Sequence, residues 1–507
     1  MSNMAQPSSR RGSLAETAPL LHGQDTPPPA QTAPPDLPIT EVELKEADNS
    51  WKAELWLLTS YSVPLIGTYL LQYSFFVVTI FVAGHLGSDE LASAALGLTT
   101  MNIVGFATYE GMATALDTFC AQAYGSGNHK GVGLHVQRML FLMGLALVPI
   151  SAVWALSPWL LAPFVKQEHL ALQAGAFLRI SIIGLPGYAS FEALKRFLQA
   201  QGSFHAALVV LLVCAPLNAV LSWLLAFHAG LGLEGAALGQ ALTNCLRSLF
   251  LVAYIVSPWG AWSHGCWGGF SRDALTNLGP MIRLSVAGSL VNVGEWAAFE
   301  IVNISASYLS TDHLAAQSIL CTISIISWHV PFSVSVAVST RIGHAIGAGL
   351  VGVARRASVL YAAVFVALGL ANGLVIFSLR RPLAEFFSDD PHVRDIASRT
   401  MLSVAAFQLI DAVINCTNGL LRGLGRQQFA AGVVFAVNYL GAVPLALWLE
   451  LGSGNTTIGP RLELSGAWIG LGCGMCLTAV VETVYLKTMN WQACVESAKR
   501  REGVEGW

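Results

Sequence analysis

Beyond about fifty polar residues, the chain settles into apolar runs of roughly twenty residues separated by short polar breaks. Twelve such runs can be counted, at about 55–82, 91–115, 135–158, 171–191, 205–227, 235–256, 281–305, 314–338, 355–378, 398–419, 430–449 and 466–486. Each is long enough to cross the ~30 Å hydrocarbon core of a bilayer as a helix. The predicted fold class is an all-α polytopic membrane protein. The breaks orient it. With the amino terminus inside, the cytosolic segments hold Lys130, Arg138, Lys195, Arg196, Arg272, Arg283, Arg341, Arg355, Arg356, Arg422, Arg426 and Lys499 to Arg501. The opposite breaks, such as His85 to Glu90 and Leu309 to Asp312, are poor in bases. One outer loop dissents, with Arg380, Arg381, Arg394 and Arg399 set among Glu385, Asp389, Asp390 and Asp395. The balance predicts both termini in the cytosol. No secretory signal precedes the first run, which is expected to act as its own insertion signal.

The pattern also repeats, at an offset of about 222 to 223 residues. Ala115-Leu-Asp-Thr-Phe119 returns as Ala337-Val-Ser-Thr-Arg341, and Ala123-Tyr-Gly-Ser-Gly127 as Ala345-Ile-Gly-Ala-Gly349. Ser88-Asp-Glu-Leu-Ala92 returns as Thr311-Asp-His-Leu-Ala315. Two six-helix halves of one topology follow, and because six is even they run parallel, related by an axis along the membrane normal. Such halves suit a cavity between two lobes that rock in alternating access. The expected organisation is a disordered cytosolic tail at 1–50, a first lobe at 51–256, a Gly- and Trp-rich connection at 257–280, a second lobe at 281–488 and a cytosolic tail at 489–507. Trp residues in the connection are expected to anchor it at the bilayer surface.

Composition narrows the function. The 507 residues are 54% hydrophobic and only 11% charged, against about 25% charged in a soluble domain. A net charge of -3 leaves no electrostatic footprint for nucleic acid. The nine Cys are scattered, and Cys473-x-x-Cys476 lies in an apolar run without further ligands, so neither a disulfide framework nor a metal site is expected. The twelve His are dispersed as well, and no phosphate-binding or hydrolase motif accompanies them, which argues against an enzyme. Short signals remain outside the helices. Glu16 to Leu21 resembles an acidic dileucine sorting signal, Arg10 to Ser13 a basophilic kinase site, and Asn455-Thr-Thr457 is a glycosylation candidate on the outer side.

Candidate chemistry concentrates in the seventh run, where Glu295 and Glu300 sit near the middle with no basic residue beside them. An ionised side chain at mid-bilayer costs about 2.5–3.5 kcal/mol on insertion scales, so such acids are expected to face a watery cavity or carry a proton part of the time. Five residues apart, they stand ~140° apart around a helix and cannot both enter one small site. Glu295 corresponds in the repeat to Gln72, which places proton chemistry in the second half. In the tenth run Asp411 shares a helical face with Gln408 and Asn415. If the tenth helix packs against the seventh, Asp411 and Glu295 share one site. Trp296, Phe299, Trp328, Phe407 and Tyr439 are candidate flat walls for an aromatic cation, and equally ordinary helix packing. In the first half, Asp117, Glu192, Lys195 and Arg196 read as ion pairs that close the lobes, and Glu110 has no assigned role.

These residues together resemble the multidrug and toxic compound extrusion (MATE) family, particularly its eukaryotic, fungal form. The likeness covers about Leu55 to Lys487 and rests on Ala115 to Gly127, Lys195-Arg-Phe-Leu-Gln-Ala-Gln-Gly202, Glu295-Trp-Ala-Ala-Phe-Glu300, Ala337 to Arg341 with Gly347-Ala-Gly349, and Leu421-Arg-Gly-Leu-Gly-Arg426. It implies a twelve-helix, two-lobed antiporter, working as a monomer without a cofactor, that exports organic cations and other amphipathic small molecules in exchange for protons. It also implies that the essential acids are those matching Glu295, Glu300 and Asp411. Two departures matter. Val78 stands where many bacterial relatives carry an Asp in the first helix, which argues against sodium coupling there, and Thr322 stands where some animal members carry a Glu. A vacuolar or plasma membrane is expected. The alternative on the same fold is a flippase or an exporter of lipid-linked or anionic substrates. It would require a strongly cationic cavity, whereas the apolar runs hold few bases, Arg179 and Arg247 among them.

Overall fold

The computed structural model describes residues 50–163, 167–258, 260, 265–452 and 462–502. The amino-terminal tail with its two short signals and the Asn455 sequon lie outside the described residues. Twelve long helices carry the architecture: α1 (Trp51–Leu86), α2 (Ser88–Gly125), α3 (His129–Ala155), α4 (Glu168–Gln199), α5 (His205–His228), α6 (Gly232–Val256), α7 (Gly279–Ser305), α8 (Thr311–Gly347), α9 (Val351–Phe387), α10 (Pro391–Gly423), α11 (Gln427–Leu451) and α12 (Glu463–Thr488). Eleven are apolar enough to cross a membrane by composition alone. The exception is α7, which is 27 residues long and carries both Glu295 and Glu300. Its acids lower its hydropathy without shortening it.

Several helices overrun their apolar stretches. At 37 residues, α8 and α9 span about 55 Å, well past the hydrocarbon core. Local chemistry starts them. Ser50, Asn128, Ser310 and Asp390 each accept a hydrogen bond from the backbone of the first helical turn, satisfying amides that the helix leaves unpaired. Widened π-turns interrupt α2 at Met101–Phe106 and α11 at Asn438–Ala442.

Within the first half α5 packs on α1 and α6, and α4 on α6; within the second, α10 packs on α8, α9 and α12. The halves meet through α2 against α7 and α8, and through α1 against α8. Their contact obeys the sequence repeat. A methyl group on Gly125 would collide with the backbone of His344, and one on Gly347 with the backbone of Gln122. These four positions are two repeat-related pairs, crossing as a two-fold axis requires. The hydrogen bonds follow suit: Gln122 Nε2 donates to the Gly423 carbonyl at 2.8 Å, and His344 Nε2 to the Ala200 carbonyl at 2.7 Å. Only glycine lets the two backbones approach this closely.

This pairing lies at the end of the bundle that carries the 126–128, 200–204, 348–350 and 424–426 connections. Farther along, the halves still touch where Tyr73 packs on His329 with ring centroids 5.2 Å apart, and where Ser289 donates to Thr108. Among the described residues, no hydrogen bond or ring contact joins the halves beyond these toward the opposite end. The lobes are therefore fastened at one end.

The carboxyl-terminal segment, expected as a cytosolic tail, is helical over part of its described length. It turns at Trp491, whose indole donates to the Leu486 carbonyl, and forms a further helix, α13 (Gln492–Glu502). Trp491, Cys494, Val495 and Ala498 are buried, because one face of α13 is apolar and lies on the end of the bundle where the glycine contacts join the halves. The described residues of the 257–280 connection pack on α3 and α4. Cys266 is buried, Trp267 stacks edge-on against Phe197, and Gln137 Nε2 donates to the Gly269 carbonyl.

Candidate functional site

Two groups of buried acids stand in the bundle, one in each lobe, and their surroundings differ. In the first lobe Glu192, Lys195 and Arg196 rise from consecutive turns of α4, all three essentially without solvent exposure. The i+3 and i+4 spacing lets Glu192 take both bases on its own helix, Lys195 at 2.9 Å and Arg196 at 2.6 Å. Gln72 of α1 completes the knot, donating to Glu192 and accepting from Lys195. Arg196 also reaches Asp117 of α2 at 3.2 Å. Arg247 of α6 lies beneath, its guanidinium within 4.5 Å of the Phe191 ring centroid and 4.8 Å of that of Tyr188. Glu110 stands within electrostatic reach of Lys195, Arg196 and Arg422.

Two expectations change here. Gln72, a substrate-cavity candidate from the sequence, is bound into this first-lobe ionic knot. Glu192 and Lys195 bind within one lobe and do not bridge the two, since their spacing is satisfied on α4 itself. Contacts across the lobes come from Asp117, whose carboxylate lies 4.0 Å from Arg422 of α10, and from a pair that sequence reasoning passed over. Glu54 of α1 is buried and held by Arg341 of α8 through three contacts of 2.9 to 3.3 Å, with the Tyr361 hydroxyl of α9 donating to it as well. In the sequence Arg341 is an inside charge at the end of a repeated segment, and Glu54, just ahead of the first apolar run, gives no signal of burial.

In the second lobe the acids have no such partners. Glu295 is half-buried near the middle of α7, and its closest hydrogen-bonding neighbour is Asn418 of α10, at 3.5 Å. Asp411 of α10 is buried, with no hydrogen-bond partner for Oδ2 among the described residues. The flanking amides do not serve it. Asn415 Nδ2 donates to the Asp411 backbone carbonyl, and Gln408 Nε2 points at Ser324 Oγ. A third acid, Glu482 of α12, is fully buried and receives the Thr417 hydroxyl. Both Asp411 and Glu482 lie within electrostatic reach of Glu295. None of the three makes an ion pair among the described residues; Arg422 is the cation nearest in influence to Glu295.

The packing of α7 is mainly on α2 and α11, and that of α10 on α8, α9 and α12, and the two helices are joined at Glu295 by Asn418. A cavity of about 320 Å³, open solvent included, adjoins Glu295 and is lined also by Phe299, Ile414, Asn438, Met475 and Thr478; Asp411 and Glu482 are not among its lining residues. Its interior admits little more than one water-sized sphere. Asn438, which lines the same cavity as Glu295, opens the π-turn of α11. Glu482 could have been found from sequence by the rule that marked Glu295, an acid inside an apolar run with no base beside it.

Glu300 faces elsewhere. It bonds Asn303 of its own helix, whose carbonyl oxygen lies 3.6 Å from Cys321 Sγ of α8. The aromatic candidates divide. Phe299 and Phe407 meet edge-on at 5.8 Å and both pack on Trp468. Tyr439 is tied to the Gly294 carbonyl at 3.2 Å. Trp328 stacks on Phe332 at 4.3 Å, toward the first lobe, and Trp296 is half-buried with no ring contact among the described residues. No group of three metal-ligating side chains occurs among the described residues.

Comparison with known proteins places this arrangement. The family model MatE matches residues 64–224 and 289–448, one match per lobe. An uncharacterized transporter of Schizosaccharomyces pombe is 37% identical, the match spanning 91% of this chain and 84% of that protein. Protein DETOXIFICATION 16 of Arabidopsis thaliana is 31% identical over 89% of this chain and 90% of its own length. Among solved structures, the eukaryotic MATE transporter AtDTX14 superposes with a TM-score of 0.82 at 26% identity, covering 88% of this chain and 98% of that one.

Proposed function

The chain belongs to the MatE family of membrane transporters, and from that premise we propose that it is a secondary active antiporter exporting organic cations and other amphipathic compounds in exchange for protons. The observation that carries this reading is the second-lobe acids: Glu295 lines a cavity, buried Asp411 and Glu482 lie within its electrostatic reach, and none of the three makes an ion pair among the described residues. A carboxylate without a counter-charge in a low-dielectric site is driven either to take a proton or to attract a cation. Competition between the two is the elementary step of an exchanger. When a proton neutralises the cluster, the cation leaves; when the proton departs to the other side, the cluster again attracts a cation.

The lobe contacts supply the second requirement, alternating access. The fastened end carries Lys130, Arg341, Arg355, Arg356, Arg422 and Arg426, which the positive-inside rule assigns to the cytosol. With that end inside, both termini are cytosolic and the lobes stand in an outward-facing arrangement. Breaking Glu54 from Arg341 and Asp117 from Arg422 would then accompany inward opening. The small size of the present cavity fits a proton-loaded site, with bulky cargo admitted only as α7 moves against α11. The working unit is the monomer, in a vacuolar or plasma membrane, and no cofactor takes part beyond the proton.

A lipid-linked or anionic cargo is the other reading, and Lys195, Arg196 and Arg247 inside the first lobe bear on it. Glu110, Asp117 and Glu192 stand among these cations in equal number, so the first lobe offers no excess positive charge to such a cargo. The test is uptake of a fluorescent organic cation into vesicles holding the purified protein, with and without an imposed pH gradient. Gradient-dependent accumulation by wild type that is lost in Glu295→Gln supports the reading. Full accumulation by the variant overturns it.

A further inference from the structure

The repeat supplies an internal control for the acids of the second lobe. Gly235-Ala-Ala-Leu-Gly239 of α6 returns as Gly466-Ala-Trp-Ile-Gly470 of α12, with Gly235 against the backbone of Leu225 and Gly466 against that of Leu449. In that register Glu482 takes the place of Leu251, and Thr478 that of Arg247. Leu251 and Glu482 are both fully buried. An apolar side chain meets the packing need at this position in one half. The acid in the other half costs more to bury, so it serves something besides packing.

Three features distinguish Glu482 from a buried acid held in one charge state. The first is its partner. Thr417 Oγ1 of α10 contacts both the Glu482 carboxylate and the Ile414 carbonyl of its own helix, the latter at 3.0 Å. A hydroxyl has one hydrogen and can also accept. With Glu482 ionised, Thr417 donates to it; with Glu482 protonated, the acid donates to Thr417 and Thr417 donates to Ile414. Either state keeps its hydrogen bonds. Second, the next residue of α10, Asn418, is the neighbour of Glu295 at 3.5 Å, so consecutive residues hold the two acids. Third, Thr478 lies one helical turn before Glu482 on the same face of α12, buried and lining the Glu295 cavity. Thr68, Thr79 and Thr243 commit their hydroxyls to the carbonyl four residues back. Thr478 does not: its Oγ1 and Glu482 Oε1 are both without a hydrogen-bond partner among the described residues.

No base answers Glu482. On the helices packed against α12, the titratable or charged groups beyond Ile410 of α10 are Asp411, Cys416 and Arg422, and those of α11 are Tyr439 and Glu450. Neither these nor Tyr485 and Lys487 of its own helix make a hydrogen bond or ion pair with Glu482 among the described residues. Glu295 is the charge that acts on it.

We propose that Glu482 is a second proton-binding residue of the exchange, loading and discharging through Thr478 together with Glu295, while Thr417 reverses its hydrogen bond as the proton comes and goes. This rests on the antiport reading given above. The step balances: Glu482 passes its proton to Thr478 Oγ1, Thr478 passes its own hydrogen to water in the cavity or to Glu295, and the reverse reloads it. A cation seated against Glu295 makes the surroundings of both acids more positive, so both give up their protons to it.

The test begins with the proton itself, on purified full-length protein in lipid films without cargo. Infrared difference spectra between mildly acidic and mildly alkaline pH should show a protonated-carboxyl band that disappears on alkalinisation and is missing from Glu482→Gln. Superimposable spectra of the two proteins overturn the proposal. Thr417→Val and Thr478→Val leave the carboxyl in place and decide the matter should Glu482→Gln fail to fold. The first should displace the band, and the second should slow its hydrogen-deuterium exchange by about tenfold or more. An unmoved band and unchanged exchange overturn the proposal too. Transport supplies the other arm. The number of protons exchanged per ethidium, found from the pH gradient that just balances an ethidium gradient across vesicles, should fall by about one in Glu482→Gln. Glu450, also buried beside a hydroxyl, that of Ser305, lines no part of the cavity, and Glu450→Gln should leave the ratio unchanged. An unchanged ratio in Glu482→Gln, or an equal fall in Glu450→Gln, overturns the proposal. Failure of the wild type to accumulate ethidium counts against the antiport reading alone, because the infrared bands still decide whether Glu482 exchanges a proton.

Discussion

The two lobes descend from one pattern, yet each treats its buried acids differently. Glu192 and Asp117 are surrounded by Lys195, Arg196 and Gln72, whereas Glu295, Asp411 and Glu482 make no ion pair among the described residues, and the hydrogen-bonding partners of Glu295 and Glu482 are an amide and a hydroxyl. The difference teaches what an acid is for. A carboxylate locked between two bases has its charge state settled, and removing it leaves uncompensated cations in the protein interior. A carboxylate with neutral neighbours has nothing to lose by changing its charge. The repeat makes the contrast sharp at one position: Gln72 and Glu295 are equivalent, and the amide sits in the locked cluster while the acid sits in the open one.

Variants can break that contrast. The largest effect expected is on stability, from Glu192→Ala, which strands Lys195 and Arg196; about 3–5 kcal/mol should be lost, visible as poor folded yield and a lowered unfolding midpoint in detergent. Glu295→Gln should do the opposite, keeping the midpoint within about 1 kcal/mol of wild type while gradient-driven uptake falls tenfold or more, roughly 1.4 kcal/mol in the rate-limiting step. Equal damage to folding from both would erase the distinction between the lobes. Asp411→Asn should follow Glu295→Gln in kind, with a smaller loss of uptake. Next comes Glu54→Gln, which weakens the hold of α1 on α8 and should raise cysteine or protease accessibility of the 200–204 and 424–426 connections more than it lowers uptake. The smallest effect belongs to Cys473→Ala. Its thiol is exposed on α12 away from both clusters, and transport and stability should stay within about 0.5 kcal/mol of wild type.

Much of this was legible along the chain because a bilayer imposes a one-dimensional rule. A segment that must satisfy its own backbone in hydrocarbon is a helix of ~20 apolar residues, so counting runs counts helices. The same rule made Glu295 conspicuous, since an acid amid such a run is rare enough to notice. It would have marked Glu482 equally. Glu54 escaped because it precedes the first apolar run, where a charge is ordinary, and only the return of α8 and α9 buries it.

What the sequence by itself determined is the number of helices, their doubled order and the place of the second-lobe acids, since each follows from local hydropathy or from identity at a fixed offset. Which acids share a cation was decided in three dimensions. Glu192 and Asp117 look as unusual in the sequence as Asp411 does; they become neutralised because α4 presents two bases to them, and Asp411 does not because α10 turns its amides to the backbone and to Ser324. Pair interactions fall off within a few ångströms, and sequence distance carries no information about which groups come that close.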